Sequence, residues 1–246
     1  AQKPEHAGQT KQHQDNIEYA SMIYSLDENV GRLLDKLEAL GLSDNTWVIF
    51  TSDNGGRSTL YVPGDATSNL PLRAGKGWLY EGGIRVPLII RGPGVTQPGS
   101  VSESLVVSTD FYPTLLQWAG AETMPSQHRD GVSFTGAMEA GALPARESVY
   151  FHFPHYHGSA SLPSSALRHG QWKLLHFHES DTYELYHLGN DLGEQINRVD
   201  SEPAIATAMQ QQLAQWILRS GAARAEPNPD YVPGQEQLEF RGLQAQ

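Results

Sequence analysis

Two short stretches carry residue types that could do chemistry. The first is "FTSDNGG", residues 50–56. The Asp53 carboxylate and the Asn54 amide carbonyl are hard oxygen donors, suited to Ca²⁺ or Mg²⁺ rather than Zn²⁺. Side chains alternate along a strand, so the two reach one ion only if the chain turns, and Gly55-Gly56 makes a turn easy. Calcium takes roughly six to eight oxygens, so these two residues supply a minority of any shell. Asp, Asn and Gly are also ordinary turn residues, so a plain turn explains the stretch equally well. The second stretch is "PLRAGKGWLYEGGIRVPLII", residues 71–90, with four glycines and three basic residues. Gly75 and Gly77 flank Lys76 and let the backbone approach a ligand closely. A lysine ammonium is a compact charge suited to a tetrahedral oxyanion. The P-loop order is absent. The alternative is a glycine-rich surface loop with solvated charges.

Elements must place these residues. Ile23, Leu26, Val30, Leu33, Leu37 and Leu40 repeat at helical spacing, which predicts a helix over 17–40. Asp15 or Asn16 would cap it, Gly41 would stop it, and Glu28 with Arg32 would pair on its wet side. "TWVIF" (46–50) and "VPLII" (86–90) are continuous apolar runs, the pattern of strands buried on both faces in a parallel sheet. Asp53 and Asn54 then fall at the carboxyl end of a strand, where open α/β sheets bind ligands. "TDFYPTLLQWAG" (109–120) predicts another helix, stopped by Gly120. From about residue 144 the texture changes. "ESVYFHF", "SALRHG", "QWKLLHFH" and "TYELYHL" predict short antiparallel strands. A last amphipathic helix covers 203–219, with Ile205, Met209, Leu213, Trp216 and Ile217 on one side, before an extended "EPNPDYVPG".

Bulk properties narrow the classes. The 246 residues are 39% hydrophobic and 18% charged, which supports a packed core. A net charge of −11 argues against non-specific nucleic-acid binding. No segment is long and apolar enough to span a membrane. With no cysteine there is no disulfide, thiolate metal site or cysteine nucleophile in this span.

Taken together, "YSLDENVGRLLDKLEALGLSDNTWVIFTSDNGG" and "PLRAGKGWLYEGGIRVPLIIRGPGV" resemble the formylglycine-dependent sulfatases of the alkaline-phosphatase-like superfamily. Lys76 lies 23 positions after Asp53, and both motifs match in order and spacing. "ALRHGQWKLL", "ELYHL" and "DLGEQIN" resemble the C-terminal part of bacterial members. The resemblance implies an alkaline-phosphatase-like α/β sheet flanked by helices, present in part, followed by a small α+β subdomain with an antiparallel sheet and a C-terminal helix. The implied division is 1–158, the C-terminal part of the catalytic domain, and 159–246, the small subdomain.

The resemblance assigns Asp53 and Asn54 as ligands of one Ca²⁺ and Lys76 as the sulfate contact. Arg73, Glu81 and Arg85 take a mainly structural role, and Asp27 a helix-packing or capping one. The family nucleophile, a formylglycine made from the Cys or Ser of a C/S-x-P-x-R motif, has no counterpart, since no Ser here starts such a run. The N-terminal Asp pair of the metal site is also missing. The chain opens "AQKPE", similar to a stretch that follows an upstream H-x-P segment in bacterial relatives. The expectation is a C-terminal portion of a sulfatase, whether fragment, split gene product or truncated form, inactive alone and liable to associate with itself or with the missing N-terminal portion. Periplasmic or extracellular placement is implied by the family alone.

Ten histidines remain to be explained. His155 and His157, in "PHYHG", fall where such enzymes shape the leaving-group pocket and would read the hydroxyls of a sulfated sugar, one of galactose type being an example the resemblance suggests. Surface or aromatic-edge histidines are the bland alternative, and zinc a further one for the pairs His155/His157 and His176/His178. Two other functions stay open: a phosphatase or phosphonate hydrolase of the same superfamily, and a non-catalytic binding module.

Overall fold

The computed structural model describes residues 11–59, 66–93, 98–138, 146–159, 161–224, 226 and 228–230. The chain forms two compact units that interleave in sequence. One comprises 1–16, 54–85 and 150–246, the other 17–53 and 86–149. The "EPNPDYVPG" tail lies mostly outside the described residues.

The second unit begins with helix α1, Ile17–Ala39, stopped by Gly41 in the left-handed conformation (φ 65°). The predicted apolar stripe is present, yet no residue of α1 is buried. Asp27 sits exposed in mid-helix, so it neither packs nor caps. Arg32 donates to the Asn29 side chain (3.2 Å), and no Glu28–Arg32 ion pair forms among the described residues.

Strand β1 (Val48–Thr51) and, later in the chain, strand β2 (Leu88–Arg91) correct one expectation. They pair with each other antiparallel, with Val48 opposite Arg91 and Thr51 opposite Leu88. Neither is buried on both faces, since Phe50 is 39% and Ile89 63% exposed. An apolar run records that a strand can be covered, not which strand or helix covers it. Between them lies the short helix α2, Glu81–Ile84, which belongs to the first unit.

Helix α3, Phe111–Trp118, is entered through a 3-10 turn at Ser108–Asp110 and ends before Gly120 (φ 66°). Buried Asp110 accepts from the backbone N–H groups of Val107 and Val132 (both 2.9 Å) and pairs with Arg146. Aromatic stacking supplies the packing: Trp47 lies flat on Trp118 (centroids 3.7 Å, 7° between planes), and Phe134 meets both Trp118 and Phe111 edge-on. A Cβ at Gly92 would strike the Trp47 ring, so only glycine fits there.

The first unit is built on a four-stranded sheet in the order β3 (Ser148–Phe153), β4 (Ser164–His169), β5 (Trp172–Phe177) and β6 (Thr182–His187), with β4–β5–β6 antiparallel as predicted. Period-2 alternation gives it two distinct faces. Leu167, Leu174 and Leu185 point to helix α4 (Pro203–Ser220) and pack on Ala206, Met209 and Leu213. The other face, with Ala166, Leu175 and Tyr186, packs on Ala74, Trp78 and Tyr80 of the glycine-rich loop. Helix α4 starts with Pro at its first position and stops at Gly221 (φ 63°), as its sequence demands.

Candidate functional site

The loop carrying Lys76 is fixed from beneath. On the sheet face that meets it, Lys173 is fully buried with Nζ 2.9 Å from both Glu81 Oε1 and Glu194 Oε1. Glu194 Oε2 accepts the Glu81 backbone N–H (2.7 Å). Burial raises the Glu81 pKa, but Lys173, with Arg168 and Arg85, outweighs that and holds it below the ordinary value. Glu194 shifts the other way: burial raises it, and the Glu81 charge adds to that, beyond what Lys173 offsets. Arg73, also buried, donates to the hydroxyls of Tyr186 and Tyr80 and to the Glu194 carbonyl, each at 2.8 Å. Burial, with the Glu184 carboxylate close by, pushes both phenols well above the usual range. The structural role expected of Arg73, Glu81 and Arg85 is this ion cluster, with Arg85 Nη1 3.7 Å from Glu81 Oε2.

The "DNGG" and "GKG" segments are joined by their backbones. Lys76 N–H donates to the Gly56 carbonyl (3.1 Å), and Gly55 N–H to the Gly83 carbonyl (2.9 Å). A Cβ on Gly55 would strike the Gly82 carbonyl, and one on Gly75 the Gly56 carbonyl. These glycines are required by close approach of backbones. Asn69 locks the junction: its Oδ1 accepts from Gly56 N–H (3.1 Å), and its Nδ2 donates to the carbonyls of Gly56 (2.7 Å) and Ala74 (2.9 Å). Nothing in the sequence distinguishes Asn69 from a turn residue. Lys173 had a signal, a lysine between Trp172 and Leu174 in a strand-like run, at a position facing inward.

Lys76 contrasts with its setting. Residues 73–75 are buried, whereas the Lys76 side chain is exposed and pairs with no carboxylate among the described residues. The next residue, Gly77 (φ 91°), lies against the His157 ring, which occupies the space of a Cβ. His157 Nδ1 accepts the Ser159 backbone N–H (3.1 Å), so the neutral ring carries its proton on Nε2. Trp78 Nε1 donates to the Ser159 carbonyl (2.9 Å) and ties this segment to the loop. The structure thus brings Asn54, Lys76 and His157 into one unit. His155 is exposed, packed edge-on against Phe153 (5.5 Å) rather than on the loop. Asp53, exposed, is the last residue of its stretch of the other unit and precedes Asn54 directly in the chain.

The donor set fits a hard cation in kind. Asn54 Nδ2 donates to the Gly55 carbonyl (3.0 Å), which turns its Oδ1 away from that carbonyl, and Asp53 is a carboxylate. It does not fit in number: among the described residues no three His, Asp or Glu side chains gather as a metal-holding group. That also removes the zinc alternative for the histidine pairs within those residues.

Residues 2–121 match the family model described as Sulfatase, and residues 74–220 match N-sulphoglucosamine sulphohydrolase, C-terminal. A protein named Sulfatase from Formosa agariphila is 39% identical over 229 residues, covering 83% of this chain and 40% of its own. The N-acetylglucosamine-6-O-sulfatase of Bacteroides thetaiotaomicron is 32% identical, covering 87% and 37% respectively. The crystal structure of Ps i-CgsB in complex with k-i-k-neocarrahexaose superposes with a TM-score of 0.73 at 29% identity, over 94% of this chain and 48% of that one. The chain therefore spans less than half the length of these relatives. With a family model matched over more than half of its residues, the chain belongs to the sulfatase family and has the alkaline-phosphatase-like α/β character of that family.

Proposed function

We propose that this chain supplies the sulfate-holding and part of the metal-holding wall of a sulfuric ester hydrolase acting on sulfated carbohydrate. The observation that carries the reading is Lys76: an exposed ammonium, paired with no carboxylate among the described residues, on a loop whose backbone is bonded to the segment bearing Asn54. Lys76 would bind and orient the sulfate group and neutralise charge that develops on its oxygens. Asp53 and Asn54 would contribute oxygens to one Ca²⁺, which when bound supplies Lewis-acid stabilisation of the sulfate oxygens. His157, held against Gly77 with Nε2–H as its donor, would contact the sugar beside Lys76. His155, exposed nearby in sequence, would belong to the same pocket rim.

Sulfated glycans are favoured as substrates because relatives carry such names, among them the N-acetylglucosamine-6-O-sulfatase. With no cysteine and no Ser-x-Pro-x-Arg run, the nucleophile would come from outside these 246 residues, and the chain alone would be inactive. No helix among the described residues is long and apolar enough to cross a membrane, and a periplasmic or extracellular site of action goes with the reading.

The test is kinetic and uses the complete gene product. Lys76→Ala is expected to lower kcat/KM on a sulfated sugar by about 10²–10³-fold, the usual loss on removing one preorganised charge-stabilising donor. Asp53→Asn is expected to weaken activity in a way that added Ca²⁺ partly restores. Unchanged kcat/KM in Lys76→Ala would overturn the reading, as would arylsulfatase turnover by the 246-residue chain alone overturn its incompleteness.

A further inference from the structure

The histidines on the α4 side of the sheet are not used by the site above. Tyr150, His152, Ser165, His176 and Tyr183 alternate onto the face that carries Leu167, Leu174 and Leu185, whereas the Lys76 loop packs on the opposite face. The sheet itself separates the two regions. His152, His176, His178 and Tyr183 border a cavity of about 270 Å³, closed on its other side by Gln210, Ile217 and Arg224.

The hydrogen bonds fix which nitrogens face a ligand. His152 Nε2 lies 2.6 Å from the Ala223 carbonyl and must donate to it. Its Nδ1, 2.7 Å from Ser165 Oγ, then accepts the serine proton. Ser165 Oγ in turn accepts from His178 Nε2 (2.8 Å). His176 Nε2 donates to Asp181 (2.8 Å). In both His176 and His178, Nδ1 is the nitrogen left outside this chain of bonds. Burial lowers the His178 pKa to about 4, and the neighbouring His176 and His152 add to the effect. Arg224 is exposed and pairs with no carboxylate among the described residues. Among the described residues, the charged and titratable groups lining the cavity are His152 from β3, His176 and His178 around β5, Tyr183 from β6, and Arg224 beyond α4. None of these lining residues is acidic, and the adjacent Asp181 is engaged by His176.

Arg224 brings a positive charge to this pocket on a chain of net charge −11, and the pocket has an aromatic wall. His176 stacks on Tyr183 (4.2 Å, 5° between planes). Ile217 adds apolar surface of the kind that pyranose C–H faces cover. The volume falls just under the usual ligand-pocket range of about 300–1,000 Å³, which suits one sugar unit. We infer that this cavity is a second saccharide site that holds one sulfate-bearing sugar residue, with Arg224 and the His176/His178 Nδ1 edges toward the sulfate and the His176–Tyr183 stack against the ring. The choice of a sulfated sugar rests on the function proposed above. The site would hold a polyanionic chain on the far side of the sheet from Lys76.

The experiment is an NMR titration of the histidine Cε1–H signals in the Lys76→Ala chain, with N-acetylglucosamine 6-sulfate and with unsulfated N-acetylglucosamine. The sulfated sugar is expected to give saturable shifts of the His176 and His178 signals and to raise the His178 pKa above about 4. Arg224→Ala, at an exposed position that leaves folding intact, is expected to weaken this by about tenfold or more, the cost of one charge-assisted hydrogen bond. The absence of saturable shifts overturns the inference. So does equal binding of the unsulfated sugar, or affinity unchanged by Arg224→Ala. Saturable binding here combined with full activity of Lys76→Ala in the complete gene product would overturn the sulfatase role of Lys76 and leave this site standing.

Discussion

The four-stranded sheet is covered on both sides, and the two coverings are held by different forces. On one side the glycine-rich loop sits over Lys173, Arg73, Glu81 and Glu194, all buried. On the other, α4 lays Ala206, Met209 and Leu213 on three leucines. Hydrocarbon contacts tolerate small shifts, because their energy depends on area rather than direction. Buried ion pairs do not, since a misplaced charge loses its partner and stays desolvated. The face that must hold Lys76 in one place is the directional one. The price is that it is easier to break, and the difference can be tested from the strongest effect downward.

Lys173→Met keeps most of the side-chain volume but strands two carboxylates in the interior. It is expected to destabilise by about 3–5 kcal/mol in urea unfolding. A loss below about 1 kcal/mol would mean that the loop face is not held by its charges. Leu213→Ala, on the hydrocarbon face, is expected to cost about 2–5 kcal/mol, depending on how far α4 settles into the cavity. Arg73→Lys keeps the charge but cannot serve both tyrosine hydroxyls and the Glu194 carbonyl. It is expected to cost about 1–3 kcal/mol.

The charged face should also respond to pH around 4.5, whereas on the α4 side the lowered pKa of His178, about 4, makes stability fall as pH drops below about 6.5. Glu81, with its pKa below the ordinary 4.5, contributes stability that is lost as pH falls from that value through its folded pKa. Glu194, with its pKa above 4.5, does the reverse: the folded state holds its proton more tightly, so stability falls as pH rises from 4.5 through its folded pKa. Their joint contribution is greatest near 4.5. Glu194→Gln is expected to gain on the parent chain as pH rises from 4.5 to neutrality, seen as a growing difference in urea midpoint. A constant difference would show that Glu194 does not titrate in that window. The smallest effect is expected from Lys76→Ala, within about 0.5 kcal/mol, because its side chain is exposed and pairs with no carboxylate among the described residues.

Sequence periodicity captured what each element does alone. The helices at 17–40 and 203–219 appear as Ile17–Ala39 and Pro203–Ser220, and the four strand-like runs became one sheet. It failed where a partner decides. The stripe of α1 looks as good as that of α4, yet only α4 buries residues. "TWVIF" and "VPLII" read as doubly covered parallel strands but pair antiparallel, half exposed. In the site, Asp53, Asn54 and Lys76 were visible through their glycines. Asn69 was not, because an amide that bonds three backbone groups has the same letter as one in a loop. His157 was singled out for its type, and its place against Gly77 follows from a loop closure that no spacing rule records.

The bare stripe of α1 has a consequence for how the chain behaves in a tube. Ile23, Leu26 and Leu33 are 46%, 47% and 68% exposed, enough apolar surface to pull copies together. A net charge of −11 pushes them apart. Salt shortens the reach of that repulsion, from about 30 Å at 0.01 M to about 8 Å at 0.15 M, and leaves the apolar attraction intact. The purified chain should therefore be most dispersed in dilute buffer and should sediment as larger species as salt is added, the opposite of a protein whose copies are joined by ion pairs.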